Sequence, residues 1–420
     1  MFEPVDLLAI VLALAVLIGC VNHLWVRLPP AIGMLLGSLV VSLLIVSSDR
    51  VLHLHVMSWF RGTLDAAHLP RVFLNAILAL LLFAGSLHVD VAELNRRRWV
   101  ILLLATASVI ISTLLFGGGM WLMFGLIGIA VPLAWCLVLG AVLAPTDAVV
   151  VENLMRQVPL PWGLRAAIVG ESLFNDGAGV VLFLVALGVT QGETVVIGHG
   201  IVLLALLREI AGGAVLGFAA GWMAAALLRR VSNDGLQLLI SLTLVIGIYR
   251  AANIAELSGP IAVVSAGLCL ASPSPRFGMT PDTRAVLMGF WPLLDQLMNT
   301  LLFLAVGLQI LGLVITPIEL VPILFAIPLA VLSRMVSVAV PLLMTRRPLR
   351  DKVREVAVLT WAGLRGGISI ALALSLPASP WRADLLVVTY AVVMFTIVVQ
   401  GLTMPLFLRT LYSAKKPVDQ

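Results

Sequence analysis

The chain has 420 residues, of which 61% are hydrophobic and 11% are charged, with a mean hydropathy of +1.13. A water-soluble domain cannot bury that much apolar surface, so the composition predicts an integral membrane protein. The formal net charge of +5 comes mostly from basic residues in short connections between apolar runs. There they orient a membrane protein and do not indicate nucleic-acid binding.

The three cysteines, Cys20, Cys136 and Cys269, lie far apart within apolar runs. An odd count at this spacing argues against a disulfide framework or a zinc site, so we expect packing residues and no cofactor. The first apolar run follows an acidic stretch instead of a basic one, which favours a retained helix over a cleaved signal peptide.

Apolar runs recur along the whole chain, and most are long enough to cross about 30 Å of hydrocarbon as a helix. Breaks at glycine, proline and charge clusters give about thirteen predicted crossings. Their bounds are roughly 5–28, 30–48, 71–89, 99–127, 131–155, 161–190, 200–228, 235–253, 256–272, 286–311, 317–344, 354–377 and 384–411. The segment 51–69 is too polar to span, and we expect a loop or an interfacial helix there.

Basic residues fall in alternate connections, and the positive-inside rule makes those connections cytoplasmic. They are Arg96, Arg97 and Arg98; Arg156 and Arg165; Arg229 and Arg230; Arg276 and Arg284; Arg346, Arg347, Arg350, Lys352 and Arg354; and Arg409, Lys415 and Lys416. With thirteen crossings the amino terminus lies outside, and a short tail at 412–420 lies in the cytoplasm. The loop at 49–71 does not fit this scheme, because it carries three arginines and is placed outside.

Ionisable residues in mid-helix are the clearest functional signal, because each costs at least about 2.5–3.5 kcal/mol to insert and needs a partner or a function. Asp147 lies deep within one crossing, directly after Pro145 and Thr146. Proline frees a backbone carbonyl, so we expect a locally broken helix beside this acid.

The stretch GESLFNDGAG holds a second group of polar residues. On a helix Ser172, Asn175 and Asp176 share one side, whereas Glu171 points elsewhere. The spacing therefore predicts separate roles for the two acids. Arg334, alone in a later apolar run, needs an anion in the membrane, and Glu171 is the natural partner because it faces away from the Asp176 cluster.

A second broken helix is expected where Gly363, Gly366 and Gly367 surround Arg365, although these glycines could instead form a helix-packing surface. Secondary transporters with inverted repeats use one broken helix in each half of the chain to build an ion site near the midplane. A hard cation such as Na⁺ prefers several oxygen ligands. The oxygen donors near the breaks are Asp147, Thr146, Ser172, Asn175 and Asp176.

Two other classes of protein remain as alternatives. An intramembrane aspartyl protease places aspartates in neighbouring membrane helices, and a channel lines its path with polar groups. An intramembrane aspartyl protease would carry YD and GxGD around its acids, whereas this chain has PTD and FND. A passive cation channel is the other alternative, and the residues alone do not separate it from a carrier.

Five segments resemble the signature segments of monovalent cation:proton antiporters of the NhaP and Na⁺/H⁺ exchanger type. They are APTDAVVV, GESLFNDGAGVVLF, LSGPIAVVSAGL, FWPLLDQLMNTLLFLAVGLQ and WAGLRGGISIALALSLP, and they follow the family's order over nearly the whole chain. The resemblance implies an all-α, NhaA-like antiporter fold of about thirteen transmembrane helices, with two inverted repeats and two unwound crossing helices. It also implies a plasma-membrane homodimer, with a moving core near 99–190 and 317–411 and a dimerisation scaffold near 5–89 and 200–311.

Carried over by position, the resemblance makes Asp176 the main cation and proton carboxylate and Glu171 the partner of Arg334. The cation neighbours that it implies are Asp147, Thr146, Ser172 and Asn175. Asn299 lies in a signature segment without an assignable role. Many relatives have an acid in the third crossing where this chain has Ala84, so a ligand from that position is missing.

The expected activity is exchange of Na⁺, Li⁺ or K⁺ for protons by alternating access, with no enzymatic step. Cation and proton compete for Asp176, and the core moves only when that acid is neutralised. Because the preceding residue is the amide Asn175, we expect electroneutral exchange. The expected partners are monovalent cations, protons and the lipid bilayer, and a K⁺/H⁺ antiporter remains an alternative.

Overall fold

A computed structural model describes residues 4–52, 69–147, 151, 162–192, 201–274, 279–309, 320–344 and 348–412. Within these residues all regular structure is helical. In chain order the helices are α1 (Pro4–Val21), α2 (Pro30–Leu52), α3 (Leu69–Leu87), α4 (Val91–Arg96), α5 (Arg98–Leu126), α6 (Leu133–Val142), α7 (Trp162–Thr190), α8 (Ile201–Leu228), α9 (Asp234–Ile254), α10 (Gly259–Ala271), α11 (Pro281–Gln309), α12 (Leu320–Leu343), α13 (Leu349–Trp361), α14 (Gly367–Leu374), α15 (Arg382–Phe395) and α16 (Gly401–Tyr412). Two π-helical segments, Asn22–Val26 and Thr396–Gln400, follow α1 and α15.

Many of these helices are long and apolar enough to cross a membrane. In the part of the chain that the structure describes, nine helical segments meet both requirements, among them Arg98–Leu126, Gly163–Thr190 and Arg382–Tyr412. Shorter apolar helices, such as α6 and α10, lie between them. The prediction of an all-helical protein that crosses the membrane many times is confirmed, whereas the count of thirteen crossings stays a prediction.

Some sequence predictions fall partly or wholly outside the described residues. Helix α2 continues to Leu52 and α3 begins at Leu69, so both ends of the segment predicted as a loop or interfacial helix are helical. Residues 53–68 between them lie outside the description. The same holds for the tail from residue 413 and for residues 148–155 of the crossing predicted at 131–155, apart from Val151.

Non-helical backbone lies at both positions where the sequence predicts a broken helix. Helix α6 ends at Val142, and residues 143–147 are not helical. In the second half of the chain α13 ends at Trp361 and α14 begins at Gly367, with an irregular segment between them. The chain thus interrupts one helix in each half.

Proline alone does not account for the first interruption. Helix α12 continues through Pro328 and Pro341, and α11 continues through Pro292. A helix stays open only where other groups satisfy the backbone atoms that the break frees. Near Pro145 those groups come from the second broken helix.

The packing of the helices brings the two interruptions together. Helix α5 packs against α6, α7 and α12, while α3 packs against α10 and α11, and α8 packs against α10. Helix α14, directly after the second break, contacts α3, α6, α7 and α11. The broken helices therefore meet where these two sets of helices face each other.

Helices α8 and α10 pack closely because α8 presents glycines to the α10 backbone. A Cβ atom at Gly217 would collide with the carbonyl oxygen of Ala262, and one at Gly221 would lie 2.8 Å from the carbonyl oxygen of Ala266. Small residues at such positions let two membrane helices approach each other closely. Close packing matters in lipid, because there the hydrophobic effect does not drive helices together.

We expect Gly217→Val to lower the thermal stability of the detergent-solubilised protein, because the added side chain must separate α8 from α10. Overpacking of this kind typically costs about 1–3 kcal/mol. Gly247→Val is the matched control, since a Cβ atom at Gly247 on α9 meets no atom within 4 Å. Equal melting temperatures for both variants in a thermal-shift assay would contradict this account of the α8–α10 contact.

Candidate cation site

A cavity of about 70 Å³ lies where the broken helices meet α3, α7 and α11. Its apolar lining comes mainly from leucines of α3, α7 and α11. Its polar lining consists of Thr146, Asp147, Ser172, Asp176, Asn299 and Ser369. The cavity has room for an ion with a few ligands, since one water needs roughly 10–15 Å³ by this kind of measure.

Helix α7 presents Asp176 to this cavity. Asp176 is 7% exposed, and its Oδ1 atom has no hydrogen-bond partner among the described residues. Ser172, four residues earlier and therefore on the same helix face, lines the same cavity. A buried carboxylate oxygen without a donor is costly, so this atom is a natural position for a proton or a cation.

The first broken helix is tied to α7 by a side-chain network. The Asn175 Nδ2 atom donates to the Thr146 Oγ1 atom at 2.7 Å, and the Thr146 backbone N–H donates to Asn175 Oδ1 at 3.4 Å. The hydroxyls of Thr146 and Ser172 share a hydrogen bond of 3.1 Å. Asn175 is fully buried and does not line the cavity, so its contacts position Thr146.

The two broken helices satisfy each other's backbone. The Asp147 N–H donates to the Leu364 carbonyl oxygen at 2.7 Å. The buried Arg365 guanidinium donates to the carbonyl oxygens of Ala144 and Pro145, the latter at 3.0 Å. A cation at this point also opposes the partial negative charge at the carboxyl end of α6.

Asp147 lies at the amino end of α14. Gly366 is the residue before this helix and supplies no capping side chain, while a Cβ atom added there would overlap the Asp147 carboxylate. Only glycine allows this approach, which places a negative charge where the helix dipole favours one. Any larger residue at position 366 must displace Asp147.

Glu171 lies on the other side of α7 and forms a two-point salt bridge with Arg334 of α12. The distances are 2.5 Å for Nη1–Oε1 and 2.9 Å for Nη2–Oε2, and the two side chains are 1% and 5% exposed. The Ser108 hydroxyl lies 3.5 Å from Arg334 Nη1. A Cβ atom at Gly363 would lie 2.7 Å from Arg334 Nε, so that glycine leaves space for the guanidinium.

Two polar residues of the cavity carry no role in the sequence analysis. Ser369, on α14, is completely buried, and Asn299, on α11, donates from Nδ2 to the Asp295 carbonyl oxygen at 3.0 Å. A lone serine in the apolar run ISIALAL gives only a weak signal. Its importance depends on the register in which the two broken helices cross, which one sequence does not reveal.

We expect Glu171→Gln to lower the yield of folded protein, because it leaves the Arg334 charge buried without its partner, at a cost of about 3–5 kcal/mol. Glu93→Gln is the control, since Glu93 pairs at 3.3 Å with Arg96, whose side chain is 79% exposed, and such surface pairs contribute little. Size-exclusion chromatography of detergent extracts measures both yields. A Glu171→Gln protein that is well folded but inactive would contradict a structural role and assign Glu171 to transport.

Comparisons with known proteins agree with this architecture. A family model described as the transmembrane sodium/hydrogen exchanger matches residues 10–410. The Na⁺/H⁺ antiporter NhaP of Pseudomonas aeruginosa is 37% identical over 99% of this chain and 98% of its own length. The Na⁺/H⁺ antiporter NhaG of Bacillus atrophaeus is 32% identical over 83% of this chain, which spans 66% of that relative.

The same fold occurs in a solved structure of the sodium proton antiporter MjNhaP1 from Methanocaldococcus jannaschii. The TM-score is 0.74 at 19% sequence identity, and the match covers 97% of this chain and 98% of that chain. At this identity the structural likeness shows the fold alone. Together with the family match over most of the sequence, it leads to one conclusion: the chain belongs to the sodium/hydrogen exchanger family.

Proposed function

We propose that this protein is a secondary active antiporter that exchanges Na⁺, or Li⁺ or K⁺, for protons across the membrane. The proposal rests on Asp176, which lines a cavity with further oxygen-bearing side chains and whose buried Oδ1 atom has no hydrogen-bond partner among the described residues. The names of the relatives, which are Na⁺/H⁺ antiporters, support sodium as the first cation to test.

Competition at Asp176 would couple the two ions. An ionised carboxylate in a low-dielectric cavity must be neutralised, and either a proton or a cation does so. Asp147 and Thr146 on the first broken helix, with Ser172 on α7, would add oxygens around the cation. The proton flux and the cation flux are then coupled, because the site binds either a proton or a cation at any one time.

Alternating access would follow from the cost of moving a bare carboxylate past hydrocarbon. In this proposal a core formed by helices near 99–190 and 317–411 moves against a scaffold near 5–89 and 200–311. The hydrogen bonds from Arg365 and Asp147 across the two breaks support the proposal, because they join both broken helices into one unit. The unit moves when Asp176 carries a proton or a cation.

The scaffold would also hold two copies together as a homodimer in the plasma membrane. The alternation of basic connections supports an external amino terminus and a cytoplasmic carboxyl terminus. A bacterial inner membrane is the natural location, given the bacterial relatives.

Two of the alternatives, a K⁺/H⁺ exchanger and a passive cation channel, make different predictions in proteoliposomes with a pH gradient. An antiporter dissipates the gradient when Na⁺, Li⁺ or K⁺ is added, and the order of the three ions separates a Na⁺/H⁺ from a K⁺/H⁺ exchanger. A channel carries cation current without obligatory proton movement. The third alternative, an intramembrane aspartyl protease, is not supported, because the chain belongs to a family of transporters.

We expect Asp176→Asn to abolish exchange while the protein remains folded, because the amide cannot carry either a proton or the charge that balances a cation. Asp282→Asn is the control, since Asp282 lies exposed in the first turn of α11. Dye-based measurement of the pH gradient in proteoliposomes compares them. Exchange that persists in Asp176→Asn would rule out Asp176 as the shared carboxylate.

We also expect exchange to be electroneutral. The residue beside Asp176 is the amide Asn175, and that amide is already hydrogen-bonded to Thr146, so it adds no exchangeable charge. Clamping the membrane potential with K⁺ and valinomycin should leave the rate of Na⁺-driven proton flux unchanged, with Na⁺ as the tested ion. A rate that follows the imposed potential would show that each exchange cycle moves net charge across the membrane.

A further inference from the structure

The hydroxyl group of Ser369 has no function in the site as described so far. Ser369 lies in the first turn of α14, three residues after Gly366, and its side chain is completely buried. It lines the same cavity as Asp176. It is therefore an oxygen donor that the second broken helix brings to the site.

The hydrogen bonds around the cavity distinguish two pairs of side chains that line it. Thr146 and Ser172 bond to each other, and Thr146 also bonds to Asn175. Asp176 and Ser369 also line the cavity, but the buried Asp176 Oδ1 and Ser369 Oγ atoms have no hydrogen-bond partner within the described ranges. Buried hydroxyls are nearly always hydrogen-bonded, so this exception requires an explanation.

Ser369 cannot bond to the backbone carbonyls with which a helical serine commonly pairs. A serine on a helix commonly bonds to a carbonyl of the preceding turn, as Ser375 does with the Ala371 carbonyl oxygen at 2.8 Å. The turn before Ser369 is the non-helical segment that ends at Gly366, and it offers no such bond. The hydroxyl is left to the cavity and to what enters it.

We propose that Ser369 Oγ is a ligand of the transported cation, supplied by the second broken helix in addition to Asp176. This inference rests on the proposed function and deepens it. A hydroxyl contributes an oxygen without adding charge, so it strengthens cation binding and leaves the charge balance of one-for-one exchange intact. It also adds an oxygen to a cavity whose lining from α3 consists of Leu78, Leu81, Leu82 and Gly85.

The proposal predicts that cation affinity and proton affinity separate. The cation needs ligands from several sides, whereas a proton on Asp176 needs only that carboxylate. Loss of the Ser369 hydroxyl should therefore weaken Na⁺ binding more than it changes the response to protons. A residue that only packs the cavity would have no such selectivity.

The experiment measures Na⁺-driven dissipation of a pH gradient in proteoliposomes at alkaline pH, where protons compete least. We expect Ser369→Ala to raise the apparent KM for Na⁺ about five- to tenfold, the effect of losing roughly one hydrogen-bond equivalent, with the maximal rate retained. Ser369→Cys keeps the side-chain volume but replaces a hard oxygen with a soft sulfur, and it should raise the KM similarly. The pH at which protons halve the rate, with Na⁺ scaled to each variant's KM, should stay that of the parent protein.

Ser375→Ala is the matched control, because its hydroxyl bonds to its own helix and does not line the cavity. An unchanged KM in either folded Ser369 variant would overturn the proposal. So would a KM that Ser369→Cys restores to the parent value, or an equal rise in Ser375→Ala. Absence of cation-driven exchange in the parent protein would instead overturn the proposed function, so the two failures are distinguishable.

Discussion

Lipid offers no hydrogen bonds to a polypeptide, and this constraint determines how the chain opens its helices inside the membrane. The two broken helices meet, and each supplies groups that the other needs. Arg365 donates to carbonyls freed near Pro145, and the Leu364 carbonyl accepts from Asp147. The Asp147 carboxylate in turn lies against Gly366 at the start of α14. Irregular backbone is thereby stabilised at depth, which leaves space for a polar cavity.

Compensation of buried charge is complete on one side of α7 and incomplete on the other. Glu171 and Arg334 form a two-point salt bridge away from the cavity. On the cavity side an oxygen of Asp176 has no hydrogen-bond partner in the described part of the chain. A helix held in place by one buried pair can present the second acid to an ion that comes and goes. The proposed competition between proton and cation depends on this difference.

The sequence predicted the features that depend on local pattern, and it predicted one pairing for which few candidate partners exist. Run length located the apolar helices, and helical periodicity placed Asp176 and Glu171 on different faces. Arg334 needed an anion, and few acids lay at membrane depth. Arg365 contacts carbonyls 221 and 220 residues earlier in the chain. These contacts, and the burial of Ser369 at the cavity, depend on the register in which two distant segments cross. Hydrophobic pattern carries no information about that register.

If cation and proton compete for one carboxylate, cation binding must release protons, and this release can be measured directly. Purified protein in weakly buffered detergent solution is titrated with NaCl while a pH electrode records released protons, with choline chloride as the salt control. We expect proton release that saturates with Na⁺ and approaches one proton for each bound Na⁺ at a pH where the site is protonated. This release should be absent in Asp176→Asn. Saturable Na⁺ binding without proton release at every pH would contradict this competition.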